Sequence, residues 1–64
     1  MKDFTIHNEG SIFMITPNTQ LAKDWVKDNL PLEPWQWLGH SFSVEHRYIG
    51  EIYQSMLDEG FEVE

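Results

Sequence analysis

The residues best suited to nucleophilic catalysis lie in one short stretch of the chain. Ser41 and Ser43 carry hydroxyl groups, His40 and His46 carry imidazoles, and Glu45 carries a carboxylate. A serine hydrolase needs these residue types in mutual contact, together with an oxyanion hole in a cleft that excludes water. A chain of 64 residues has little material for such a cleft once its core is built. We therefore expect ordinary surface groups at a strand–helix junction, and a protein that is not an enzyme.

The three histidines, His7, His40 and His46, are also the imidazole donors available for a metal ion. Five residues separate His40 from His46, a spacing that matches no common zinc signature, and the chain has no cysteine. The four glycines are scattered singly and form no phosphate-binding loop. The sequence therefore predicts neither a metal site nor a cofactor.

Charge is the strongest compositional signal. The formal net charge is −7, from four basic and eleven acidic residues. Residues 1–32 contain three lysines against four acidic residues, a net charge of −1. Residues 33–64 contain only Arg47 against seven acidic residues, a net charge of −6. Direct binding to nucleic acid or to an anionic membrane through a basic patch is therefore not expected.

Length and apolar content predict one folded domain over residues 1–64. Hydrophobic residues make up 41% of the chain and nine residues are aromatic, which favours a packed core over a disordered acidic tail. The longest uninterrupted apolar run, Ile12–Ile15, is far too short to span a bilayer, and the N-terminus lacks the pattern of a signal peptide. We expect a cytoplasmic protein without a membrane partner, which the absence of cysteine also fits.

Residues 3–16 predict a β-hairpin with Asn8-Glu9-Gly10 as its loop. Apolar and polar residues alternate before the loop, as in a half-buried strand, and glycine suits the left-handed backbone that a three-residue loop requires. The register that gathers the apolar side chains on one face gives the pairs Phe4–Met14 and Ile6–Ile12.

Thr16-Pro17 predicts the start of the first helix. Threonine is a good N-cap, and proline suits the first helical position because its missing N–H has no partner there. Helical spacing then predicts one apolar stripe, made of Leu21, Ala22, Trp25 and Val26. Pro31 and Pro34 interrupt the helix.

Residues 35–44 alternate in a way that predicts an extended chain. Gly39-His40, in the middle, is either a tight hairpin turn or a bulge in one bent strand. The alternation places Trp35 and Trp37 on the same face. A core position is favoured for both in so small a domain, whereas an exposed tryptophan would be a good anchor for an interface.

The second helix has the clearest pattern. It begins near Glu45, and its apolar residues follow the helical template without a miss; they are Ile49, Ile52, Tyr53, Met56 and Leu57. Gly60 suits the C′ position, which lets Phe61 pack back on Met56. Residues 61–64 then form a short last strand with Phe61 and Val63 directed inward.

Gly50 lies inside this helix, where glycine costs about 1 kcal/mol relative to alanine. We favour close packing of another element as its explanation, and the close approach of a partner is the alternative. The full element order is β-β-α-β(β)-α-β. This order predicts an α+β domain in which two helices cover one face of a small sheet of four to five mainly antiparallel strands.

The acidic residues of the C-terminal half predict a ridge of carboxylates. Glu51 and Asp58 are seven residues apart on the second helix, so they share one line about 10.5 Å long. Such a ridge can imitate the backbone of a nucleic acid and dock on a basic surface, although a solubilising surface is the plain alternative. The candidate partner-binding residues are Glu45, Glu51, Asp58, Glu59, Glu62 and Glu64.

Two segments, DFTIHNEGSIF at 3–13 and VEHRYI at 44–49, resemble a group of short, mostly uncharacterised proteobacterial proteins often found on phages, plasmids and integrated elements. The resemblance extends into the first helix and carries no catalytic or ligand residue. Small acidic proteins of such elements often inhibit host defence or regulatory proteins, and anti-CRISPR proteins include several acidic nucleic-acid mimics. The resemblance therefore implies an inhibitor of a basic host protein, either a nucleic-acid-binding effector or a nuclease.

Two hypotheses follow. The first is a protein-binding inhibitor that uses its carboxylates. The alternative is a structural or regulatory interaction module that uses an aromatic patch around Trp35 and Trp37, including as a homodimer.

Overall fold

The computed structural model describes residues 2–64 and confirms the α+β class. Two helices and four strands are joined by short loops, and a 3-10 turn precedes the third strand. In chain order the elements are β1 (Phe4–Asn8), β2 (Ile12–Pro17), α1 (Gln20–Asn29), the 3-10 turn (Pro34–Gln36), β3 (Trp37–Leu38), β4 (Ser41–Glu45) and α2 (His46–Asp58).

The four strands form one antiparallel sheet in the order β1-β2-β4-β3. β3 and β4 are joined at Gly39-His40, which settles the earlier alternative in favour of a hairpin turn. The residues after α2 lie beside β1 in parallel, through a bridge between Phe4 and Val63. The backbone N–H of Glu64 donates to the carbonyl of Phe4 at 2.9 Å, so the free edge of β1 is covered.

The core lies between the sheet and the helices. Both helices contribute to one buried cluster on one face of the sheet, which consists of Phe4, Ile15, Ala22, Val26, Phe42, Val44, Met56 and Phe61. Within residues 2–64, neither helix has the length and apolar character needed to cross a membrane.

The register expected for the first hairpin is wrong. Phe4 pairs with Pro17 and Ile6 with Ile15, a shift of three residues along β2. An odd shift exchanges the two faces of a strand, so Ile15, rather than Met14, enters the core. The alternation could not predict the register because β2 is apolar on both faces. The pairing of Ile15 with Phe42 of β4 determines which face of β2 enters the core.

The expected start of the first helix is also wrong. Thr16 and Pro17 complete β2, and Pro17 is buried. The N-cap is Thr19, whose hydroxyl accepts a hydrogen bond from the backbone N–H of Ala22 at 3.1 Å. Leu21 is 71% exposed and lies outside the core, contrary to the predicted stripe.

The alternation predicted that the two tryptophans would share one face of a strand, and this prediction is wrong. Trp35 is the middle residue of the 3-10 turn, whereas Trp37 begins β3. Trp35 is 77% exposed and Trp37 is 38% exposed, so the favoured core position is wrong for both. Trp25 packs against the core instead.

The end of α2 matches its prediction. Gly60 has φ of +85°, its N–H donates to the carbonyl of Leu57, and the N–H of Phe61 donates to the carbonyl of Met56. These two bonds form a Schellman motif, which brings Phe61 into the core beside Met56.

The packing explanation for Gly50 is wrong. Gly50 is exposed, and a Cβ atom added there would meet no atom within 4 Å. The structure therefore supplies no internal contact that requires glycine at this position.

Candidate functional site

A half-open groove lies between the 3-10 turn, the end of β4 and the first turns of α2. Its cavity volume is about 670 Å³, within the roughly 300–1,000 Å³ typical of ligand sites. Its apolar lining includes Leu30 and Leu32 from the segment after α1 and Ile52 from α2. The aromatic rings of Trp35 and Tyr48 also line the groove, and both are exposed.

The 3-10 turn fixes one wall of this groove. The side-chain oxygen of Gln36 accepts a hydrogen bond from the backbone N–H of Glu33 at 2.8 Å, and the side-chain amide of Gln36 donates to the carbonyl of Ser43 at 3.1 Å. The side chain of Gln36 therefore closes the turn on Glu33 and also connects the turn to β4. Trp35 lies within this hydrogen-bonded turn, and its side chain is exposed to solvent.

The first turns of α2 form the opposite wall. Glu51 and Ile52 follow Tyr48 by three and four residues, the spacings that place each of them beside Tyr48 on the helix surface. Glu45, the residue that precedes α2, also lines the groove. Its carboxylate makes no capping hydrogen bond and instead pairs with Arg47 at 3.6 Å.

The structure divides the six predicted carboxylates between two places. Glu45 and Glu51 line the groove. The other four, which we call the closing-end carboxylates, lie at the far end of α2 and on the segment beside β1; they are Asp58, Glu59, Glu62 and Glu64. All six are exposed, and within residues 2–64 the one that forms an ion pair is Glu45.

Trp37 lies outside the groove. It lines a second cavity of about 340 Å³ together with Lys23 and Lys27 of α1. The two predicted aromatic anchors therefore face different surroundings: Trp35 lies in the acidic groove, and Trp37 lies near two of the four basic residues of the chain.

The serine, histidine and glutamate residues considered for catalysis do not form a hydrogen-bonded set within residues 2–64. The hydroxyl of Ser41 is hydrogen-bonded to that of Thr16. His40 is exposed at the hairpin turn, and the ring of His46 packs against that of Phe13 in a tilted arrangement, with 4.5 Å between ring centroids.

The histidines considered for metal binding are likewise separate. His7 pairs with Glu9 at 3.0 Å on the first hairpin. No group of three or more histidine and carboxylate side chains within residues 2–64 is placed to hold a metal ion.

Asp3 is a structural residue that the sequence did not single out. One carboxylate oxygen accepts a hydrogen bond from the hydroxyl of Thr19 at 2.9 Å, and the other accepts from the backbone N–H of Glu62 at 2.9 Å. These two bonds, first that from Glu62 and then that from Thr19, lower the pKa of Asp3 below its ordinary value of 3.8. Asp3 thus connects β1, the start of α1 and the segment after α2.

Comparison with protein-family models, with curated proteins and with solved structures gives no match to this chain.

Proposed function

We propose that this chain is a small acidic protein-binding domain, of phage or mobile-element origin, that inhibits a nucleic-acid-binding host protein. Its carboxylates occupy the basic surface of that protein in the manner of a nucleic-acid backbone. The observation that carries the proposal is the exposure of all six carboxylates with a single basic residue, Arg47, in the same half of the sequence.

The shape of the domain supports this proposal. Asp58 ends α2 and Glu59 is its C-cap, while Glu62 and Glu64 extend from the adjoining segment, so the carboxylates are presented by ordered backbone. Ordered charges lose less conformational entropy on binding than charges on a disordered tail. Unpaired charges of one sign also accelerate encounter with a basic surface.

The test measures displacement of nucleic acid from a panel of purified host proteins that includes CRISPR effectors and nucleases. Fluorescence anisotropy of a labelled oligonucleotide reports displacement at low and at high ionic strength. We expect displacement from at least one protein, accompanied by loss of its nucleic-acid-dependent activity. We also expect displacement to weaken as salt rises, because the attraction is between charges.

Two triple variants make the test specific. Neutralising Asp58, Glu59 and Glu62 changes the formal charge from −7 to −4, and neutralising Glu9, Asp24 and Asp28 makes the same change elsewhere on the chain. The first variant should lose about tenfold or more in affinity, or roughly 1.4 kcal/mol, and the second should lose much less. Equal losses, or no displacement by the unmodified protein at low salt, would reject the proposal.

The alternative function, an interaction module that uses aromatic residues, is favoured by one observation. Trp35 is held in an ordered turn and yet is largely exposed, and exposed aromatic residues are common anchors of interfaces. Sedimentation over a range of protein concentrations tests its homodimeric form. A dimer that Trp35→Ala dissociates would support that form, and a monomer at all concentrations would reject it.

A further inference from the structure

The groove combines three properties that together specify a ligand chemistry. Its walls are apolar, its aromatic rings are exposed, and two carboxylates line it. A long side chain that is apolar along its stem and cationic at its tip complements all three. Arginine meets this description better than lysine, because its planar guanidinium both stacks on aromatic rings and pairs with carboxylates.

The chain itself provides an example of this recognition beside the groove. The guanidinium carbon of Arg47 lies 4.9 Å from the centroid of the Tyr48 ring, and a guanidinium nitrogen lies 3.6 Å from the carboxylate of Glu45. One arginine is therefore held by one aromatic ring and one carboxylate. Glu45 and Tyr48 therefore already have a cationic partner within the chain.

The remaining aromatic ring and carboxylate of the groove have no such partner. Within residues 2–64, Trp35 takes part in no cation–π contact and Glu51 in no ion pair. Both line the groove together with Leu30, Leu32 and Ile52. They are the same two kinds of group, an aromatic ring and a carboxylate, that hold Arg47.

We propose that the groove receives an arginine side chain of the partner protein. The stem packs against Leu32 and Ile52, the guanidinium stacks on Trp35, and its N–H groups donate to the carboxylate of Glu51. This proposal rests on the proposed function and deepens it. The closing-end carboxylates supply attraction to a basic surface, and the groove selects one residue of that surface.

The probe is a pair of short peptides. One is acetyl-Gly-Ser-Arg-Ser-Gly-amide, and the other replaces arginine with citrulline, which has nearly the same shape and no charge. Titration of the isotopically labelled protein, followed by NMR, reports the side-chain indole N–H of Trp35 and the backbone amide of Glu51. We expect saturable shifts at both positions with the arginine peptide, and an affinity for the citrulline peptide that is lower by about tenfold.

Substitutions locate the site. Glu51→Gln should weaken binding of the arginine peptide by about five- to tenfold, as expected for a charge-assisted hydrogen bond, and Trp35→Ala should abolish the saturable shifts. The control is Asp24→Asn, which removes one charge from α1, outside the groove, and should leave the affinity unchanged. Trp35, Glu51 and Asp24 are exposed, so circular dichroism should show all three variants folded.

Several results would overturn the inference. Equal affinity for the two peptides would mean that the groove recognises shape without charge. Equal weakening by Glu51→Gln and Asp24→Asn would mean that the general negative field, and not the groove, binds the peptide. Saturation without a shift at Trp35, or no binding, would place arginine elsewhere or nowhere.

The outcomes also separate this inference from the proposed function. A host protein that is displaced from nucleic acid in a salt-dependent way, with no effect of Trp35→Ala, would support the acidic inhibitor and reject the arginine groove. Peptide binding in the groove without displacement from any host protein would support the groove and reject the nucleic-acid mimic.

Discussion

Both ends of α2 carry carboxylates, but the ends differ in charge and surroundings: Arg47 pairs with one of the two carboxylates at the first end, whereas residues 58–64 at the second end contain four acidic side chains and no basic residue. At the first end, Glu45 and Glu51 lie beside aromatic rings that remain in solvent. At the second end, the closing-end carboxylates flank Phe61, whose ring is buried against Phe4 with 5.2 Å between centroids. The apolar surface of the second end is buried within the fold, whereas the first end leaves apolar surface exposed. Charge density alone therefore does not identify a binding site.

The largest expected effect is the difference in stability between alanine substitutions of the aromatic residues at these two ends. Phe61→Ala should destabilise the domain by about 3–5 kcal/mol, which is comparable to the total stability of a domain of this size. Trp35→Ala should change the free energy of unfolding by less than about 0.5 kcal/mol, because Trp35 is mostly in solvent. Urea denaturation followed by circular dichroism measures both. A large loss of stability in Trp35→Ala would contradict the distinction between the two ends.

A smaller effect compares two glycines of the same helix region. A Cβ atom at Gly50 or at Gly60 would meet no atom within 4 Å, so the difference between them lies in the backbone. Gly50→Ala should stabilise the domain by up to about 1 kcal/mol. Gly60→Ala should destabilise it by about 1–2 kcal/mol, because φ at Gly60 is +85°. Thermal unfolding of both variants should therefore shift in opposite directions, and shifts in the same direction would contradict the assigned backbone conformations.

The smallest effect is the pH dependence of stability that arises from Asp3, which binds the backbone of Glu62 at the second end of α2. Because the folded-state pKa of Asp3 lies below its ordinary value of 3.8, the ionised carboxylate stabilises the fold. This contribution is fully present above pH 3.8 and is lost as the pH falls through the lower folded-state pKa. Asp3→Asn should be less stable than the unmodified protein at neutral pH. The difference in urea midpoint between the two proteins should shrink as the pH falls through the folded-state pKa of Asp3.

Glu51→Gln is the matched control for this measurement, because it removes a carboxylate at the groove end. Its urea midpoint should differ little from that of the unmodified protein across the same pH range. A difference for Asp3→Asn that stays constant from neutral pH to acid would show that Asp3 acts through its shape and not through its charge.

The parts of the fold that depend on local chemistry were predictable from the sequence. The bounds of α2, the left-handed Gly60 and the burial of Met56 and Phe61 all follow from residues within a few positions of one another. Helical spacing and C-terminal capping need no knowledge of distant contacts. The fold class followed from the same reasoning.

The errors occurred where two local signals were equally good. Thr16 and Thr19 are both suitable N-caps, and the pairing of Thr16 in β2 excludes the first. Apolar residues occupy both faces of β2, so alternation could not choose the register. The turn around Trp35 depends on the bond from Gln36 to Ser43, which forms only after β4 is in place.

Three residues of the candidate site were named from the sequence, but not as an arrangement. Glu45 and Glu51 were proposed to bind a partner because of their charge, and for Trp35 an interface anchor was the alternative to the favoured core position. Their common groove is built from the segment after α1, the 3-10 turn and the start of α2. No spacing in the sequence indicates that these residues line one groove, because the groove depends on how the 3-10 turn is held against β4. The role of Asp3 was missed for the same reason, since its partner Glu62 lies 59 positions away.

That separation also bears on the order of events during folding. β1 pairs with β2 across a short loop, but its other edge is covered by residues 62–64, which follow α2 at the far end of the chain. Contacts between distant segments carry a larger loop-closure cost and form slowly. A refolding chain should therefore pass through species in which β1 offers an open edge and the ring of Phe4 lacks its cover. Such species pair readily with one another, so the yield of refolding should fall as protein concentration rises.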